Sequence, residues 1–140
     1  MNDDLQRFVD AQTPHLPTVL GELAAGRKRT HWMWFVFPQL RGLGHSSMAR
    51  HFGLASRAQA TAYLAHPVLG PRLRECVGLV LAVHGRSAHE IFGSPDDLKL
   101  RSCLTLFREI DGSDGLFAQA LARCFDGQPD PMTLQLLAAA

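Results

Sequence analysis

From residue 23 to residue 74 the chain contains no aspartate or glutamate, yet it carries Arg27, Lys28, Arg29, Arg41, Arg50, Arg57, Arg72 and Arg74. The formal net charge of the whole chain is only +1, so positive charge is segregated along the sequence. A fold that gathers part of it produces a local field favouring an anionic small molecule. Other absences bound the class. No apolar run reaches the roughly 18 residues of a membrane-spanning helix. The opening Met-Asn-Asp-Asp-Leu-Gln-Arg is polar and acidic rather than signal-like, so no membrane partner is expected. Cys76, Cys103 and Cys124 are odd in number and include no Cys-x-x-Cys. Each sits beside apolar neighbours such as Val77, Leu104 and Phe125, which reads as buried, reduced thiols in a cytoplasmic protein, with a catalytic cysteine as the alternative. The chain also lacks the basic excess usual in nucleic-acid-binding domains. Arg27-Lys-Arg29 beside aromatics nevertheless keeps single-strand binding as a competing reading.

At 140 residues and 46% apolar content, the expectation is a single globular domain spanning residues 1–140, able to bury a core. Helix signals dominate. Leu5, Phe8 and Val9 recur at helical spacing, and Leu16, Val19, Leu20 and Leu23 run to a stop at Gly26. Pro14 and Pro17 divide these into two helices or occupy the first turn of the second. Ser46 and Ser56 precede short helices, and Val68 through Leu81 is apolar at i, i+3, i+4 up to Gly85. Ser87-Ala-His-Glu90 and Ser94-Pro-Asp-Asp97 both have capping form, the second leading into Leu98, Leu100, Leu104, Phe107 and Ile110. Asp114 and Asp130 are expected to open two further short helices. The class is all-α, a bundle of about six to eight short helices. Trp34-Phe-Val-Phe37 is the one cluster of β-formers, so a short strand there stays open.

Candidate site residues centre on Gly26-Arg-Lys-Arg-Thr-His-Trp-Met-Trp-Phe-Val-Phe-Pro-Gln39, which holds both tryptophans. Trp32 and Trp34 are first of all core material, and alternatively a stacking wall for a planar group. Two residues apart, they cannot share one helix face, so one packs inward and the other lies near a surface or cleft. Arg27, Lys28 and Arg29 complement a helix C-terminus or bind a phosphate, with Lys28 the favoured ligand contact. His31 and His45 are the acid–base candidates, since imidazole is the side chain suited to proton transfer near neutral pH. No carboxylate lies nearby in sequence to complete a metal triad, so neither metal nor other cofactor is expected. Gln39, Gly42, Gly44, His45 and Ser46 form a loop whose amides suit an anion, or a plain connection; Gln39 and Gly44 are the ligand candidates there. Asp96 and Asp97 suit a helix N-terminus, or pair across the fold with Lys28 or an arginine, with Asp97 also a ligand candidate for a hydroxyl. Lys99 and Arg101 are two positions apart, so they cannot both face one site. At least one is solvated, and Arg101 is the weaker ligand candidate.

The run from Gly26 to Gln39, followed by Gly42-Leu-Gly-His-Ser46, Tyr63-Leu-Ala-His-Pro-Val-Leu-Gly-Pro-Arg-Leu73 and Glu90-Ile-Phe-Gly-Ser-Pro-Asp-Asp-Leu-Lys-Leu-Arg-Ser102, resembles the uncharacterised bacterial family called domain of unknown function 1810. That resemblance covers nearly the whole chain and implies one helix surrounded by others. A second pattern, His66-Pro-x-Leu-x-x-x-Leu73 with Ala88-x-x-Ile-Phe-Gly93, is similar to part of the NADAR superfamily, although Phe92 stands where a tryptophan is expected. This similarity implies a ligand related to NAD or ADP-ribose. Three functions compete: a small enzyme or binding protein for a phosphorylated nucleotide-type ligand, a nucleic-acid module, and an interaction or structural domain with no small ligand.

Overall fold

The computed structural model describes residues 5–112 and 114–139, and its regular structure there is helical. A 3-10 turn over Thr13–His15 joins α1 (Gln6–Gln12) to α2 (Leu16–Ala24), with Pro14 and Pro17 each in a first turn, where a missing N–H costs nothing. After α2 the chain turns at Gly26, whose φ of +72° lies in the left-handed region glycine tolerates. Three single-turn helices, α3 (Met33–Val36), α4 (Ser47–His51) and α7 (Ala88–Phe92), alternate with longer ones: α5 (Arg57–Ala65), α6 (Leu69–Ala82) and α8 (Asp96–Asp111). α9 (Leu116–Phe125) and α10 (Pro131–Ala139) complete the order. Ser46, Ser56 and Ser87 cap α4, α5 and α7 by accepting the N–H of Ala49, Gln59 and Glu90, and Glu90 closes a full capping box on Ser87.

The all-α class is as expected. The described residues form ten α-helical segments, a finer division than about six to eight, because single turns too short to stand alone persist when tertiary packing buries one side. Trp34-Phe-Val-Phe37 takes no strand: Met33–Val36 is a helical turn, and the only β pairing among the described residues is an isolated parallel bridge between Leu40 and Leu54. Ser94 does not cap α8. That helix begins at Asp96 with Pro95 at the cap position, and the Asp97 N–H reaches back to the Gly93 carbonyl. Likewise Gly115, not Asp114, precedes α9.

α8 is the central helix. Every residue from Ser102 to Phe107 is buried, a run longer than one turn, so partners must cover it on all sides. α5, α7, α9 and α10 supply them. Aromatic contacts knit the rest: Phe35, Phe52, Phe8 and Tyr63 form one chain, Trp32, Phe37 and Phe92 a second, and Phe107 bridges Tyr63 to Phe117. Gln12 is buried among these rings. Its amide donates to the Phe35 carbonyl at 2.6 Å and the Tyr63 hydroxyl at 2.9 Å, which satisfies a polar group in an apolar setting. α5 and α6 approach so closely that a Cβ on Gly70 would lie 2.2 Å from the Leu64 carbonyl oxygen. Cys76 and Cys103 are buried, and loss of water around the Cys76 thiol pushes its pKa up to about 12. Both are packing residues rather than nucleophiles.

Candidate functional site

The carboxylate-free segment owes its shape to the carboxylate just before it. Glu22, in the last turn of α2, accepts the backbone N–H of Arg29 at 2.8 Å and of Thr30 at 3.1 Å, the Thr30 hydroxyl at 2.8 Å and the Trp32 indole N–H at 2.9 Å. Burial alone would raise the Glu22 pKa. Those four hydrogen bonds outweigh it and bring the carboxyl down to about 2. The chain from Arg29 to Trp32 is thus wrapped around one internal anion, and Trp32, only 1% exposed, is locked into the core.

Lys28 is also committed. Its backbone N–H joins the Ile91 carbonyl, and its ammonium donates to the Thr30 carbonyl and lies 2.8 Å from an Asp96 oxygen. The side chain is 6% exposed and sits over the Trp32 ring, 5.0 Å from the centroid. On the other oxygen of Asp96, at 3.5 Å, is Lys99, whose ammonium lies over Trp34 at 5.1 Å. One carboxylate therefore holds two lysines, and each lysine covers one of the two tryptophans. This second pair differs in exposure: Lys99 is 26% exposed and Trp34 half-buried.

Gln39 and Lys99 mark the junction of two adjoining cavities, with Trp34 on the smaller. The smaller lies beneath Trp34, among Met33, Phe37, Ala49 and Phe52. The larger is a groove of about 290 Å³ between the Gln39–Gly44 loop and the N-terminal half of α8, closed at the far side by Asp130 and Met132. Gln39 and Lys99 line both. The α8 contribution comes from Pro95, Leu98, Lys99 and Ser102, which follow i, i+3, i+4, i+7 and so share one face. Asp130 is held by the Ser102 hydroxyl at 2.8 Å, the Thr133 hydroxyl at 2.6 Å and the Met132 N–H at 3.3 Å. The Gln39 carboxamide makes no hydrogen bond among the described residues and so presents both a donor and an acceptor. Gly44 is glycine for a steric reason: a Cβ there would meet the Ala49 Cβ at 2.7 Å.

Of the residues singled out in the sequence, Gln39 and Gly44 line this groove, and Trp34 lines the smaller cavity that shares Gln39 and Lys99 with it. Trp32 and Lys28 lie behind it, tied to Glu22 and Asp96. His31 and His45 are exposed, with no side-chain hydrogen-bond partner among the described residues. Asp97 turns toward α7, 3.3 Å from a His89 ring nitrogen, and accepts the Leu98 N–H. Arg101 points away and clamps the α9–α10 connection by donating to the carbonyls of Gln128 and Pro129, both at 2.8 Å. Among the described residues no three His, Cys, Asp or Glu side chains converge as a metal site. Sequence reasoning passed over Leu98, Ser102, Asp130 and Met132, and treated Lys99 only as a rival to Arg101. The legible signal was the mixed stripe at 95, 98, 99 and 102, one face at helical spacing. Leu98 and Met132, 55% and 52% exposed, are large apolar side chains left facing water at its rim.

Comparison with known proteins adds lineage without chemistry. The conserved hypothetical protein Rv1873 from Mycobacterium tuberculosis, known from a crystal structure, is 55% identical and superposes with a TM-score of 0.95 over 98% of each chain. Curated proteins provide no match. Nothing in these relationships supports the similarity to the NADAR superfamily. The family model described as "protein of unknown function (DUF1810)" matches residues 2–137, and the chain belongs to that family.

Proposed function

We propose that the protein binds a phosphorylated, nucleotide-type small molecule in the groove between the Gln39–Gly44 loop and α8. The observation that carries this reading is the corner where Lys99 and Gln39 line two adjoining cavities and Trp34 lines the smaller of them. It combines a ring edge or face for a planar group, one ammonium for an oxyanion and one carboxamide for base-edge hydrogen bonds. Leu43, Leu98 and Met132 supply apolar walls for the body of the ligand. The proposed role is binding, and the Ser102 hydroxyl and Asp130, to which it donates, are the polar pair on the groove wall. His45, next to Gly44, is the nearest acid–base candidate in sequence.

The test is thermal stability of the full chain with nucleotides, NAD, ADP-ribose and sugar phosphates, repeated on Lys99→Ala and Trp34→Ala. A ligand at 100 times its Kd adds about 2.7 kcal/mol, a readily measured shift. Selective stabilisation by nucleotide-type compounds, lost in both variants, is the expected result. Folded variants and wild type that respond alike, or not at all, overturn the proposal. A second reading has one observation in its favour: the exposed Leu98 and Met132 also suit an apolar side chain of a protein partner.

A further inference from the structure

We infer that the groove selects ligands whose phosphate carries a single negative charge, a nucleoside phosphodiester in preference to a phosphomonoester or a diphosphate. This rests on the nucleotide-type reading above and narrows it by charge. Lys99 is the one cationic residue lining the two cavities, and Asp130 brings a carboxylate to the same groove. Behind Lys99, Asp96 is neutralised at 2.8 Å by the buried Lys28, so that pair contributes no net charge. Arg101, adjacent to the lining residue Ser102, is held by the Gln128 and Pro129 carbonyls. Asp97, beside Leu98, turns instead toward His89 on α7.

An oxyanion that reaches Lys99 therefore replaces the long 3.5 Å contact to Asp96, which keeps Lys28 as its counterion. One ammonium gains one partner, and no ion is stranded. A second negative charge on the same phosphate finds no second cation. It faces Asp130 instead, and like charges a few ångströms apart in a partly dehydrated groove repel. The Ser102 hydroxyl offers no relief, since its proton is directed to Asp130 or the Leu98 carbonyl. The remaining neutral donor is Gln39. Sites built for phosphomonoesters or diphosphates converge several cations or free amides on the phosphate, and this groove has one.

The experiment is isothermal titration of the full chain at pH 7.5 with adenosine 5′-monophosphate and with its methyl ester. The two differ by one methyl group and about one unit of charge, because the second ionisation of a phosphomonoester lies near pH 6. Adenosine 5′-diphosphate, whose terminal phosphate ionises twice, serves as the diphosphate. The methyl ester is expected to bind about five- to tenfold more tightly than either. Asp130→Asn, which removes one negative charge from the groove, should shrink that preference, and Asp96→Asn should do the same if the first variant fails to fold. Tighter or equal binding of the monophosphate or of the diphosphate, still lost in Lys99→Ala, overturns the charge selection and leaves the nucleotide reading standing. A preference unchanged in both aspartate variants also overturns it, since the selection would then come from shape. If none of the three compounds binds wild type, both readings fall together.

Discussion

The molecule contains the same pair twice and uses it in opposite ways. Trp32 with Lys28, and Trp34 with Lys99, each place an ammonium about 5 Å over an indole, and both lysines share Asp96. In the first pair every polar group is satisfied internally: the indole N–H by Glu22, the ammonium by Asp96 and the Thr30 carbonyl. In the second pair the ammonium contact is long, and Trp34 borders a cavity. The difference shows that an aromatic–cation motif has no fixed role. Burial with full hydrogen bonding makes it a structural staple, while partial exposure with an incomplete shell leaves it available to a ligand.

Substitutions that treat the two pairs alike should separate them. The largest contrast is expected for the tryptophans. Trp32→Ala removes a fully buried ring and one of the four donors to Glu22, costing about 3–5 kcal/mol, whereas Trp34→Ala costs about 1–2 kcal/mol for a half-buried ring. Denaturant unfolding measures both, and equal losses would erase the comparison.

Glu22 gives the next largest effect. Glu22→Gln leaves too few acceptors for the four donors, for a loss of about 1–3 kcal/mol. The pH dependence has a definite sign. The carboxyl pKa falls from 4.5 in the unfolded chain to about 2 in the folded one. Its stabilisation is therefore present above about pH 4.5 and is lost as pH falls toward 2. Acid titration of stability should be flatter in the glutamine variant across that window. An unchanged slope would mean that the wrap around Glu22 contributes little.

The lysines give the smallest contrast and the sharpest one for function. Lys28→Met removes the close partner of Asp96 and is expected to cost about 1–2 kcal/mol, since a poorly solvated carboxylate is left with one distant cation. Lys99→Met should cost under about 0.5 kcal/mol, as a partly exposed pair contributes little. Thermal unfolding of the two variants checks the order, and the reverse order would place the structural lysine at 99.

Much of this was legible in the sequence, and what escaped it has a common cause. The all-α class, the caps at Ser46, Ser56 and Ser87 and the stop at Gly26 depend on interactions within a few residues, which spacing and residue type report directly. The division of labour between the tryptophans followed from helix geometry, although which one faces inward did not. The cations of residues 27–74 read as an invitation to an anion. The fold instead gives that segment anions from within the molecule: Glu22 on the backbone of Arg29 and Thr30, Asp96 on Lys28 and Asp111 on Arg74. Gln12, not among the residues singled out in the sequence, becomes a buried hub because Phe35 and Tyr63 arrive from elsewhere in the chain.

By itself, then, the sequence determined the helical class, the local caps and breaks, the membership of the aromatic core and the residue types from which any site would be made. Only the tertiary structure decided which charges neutralise one another, which ring is sealed and where a groove remains. Hydrogen bonds within a turn depend on neighbours fixed by the chain itself. Desolvation and ion pairing depend on which distant groups packing brings within a few ångströms.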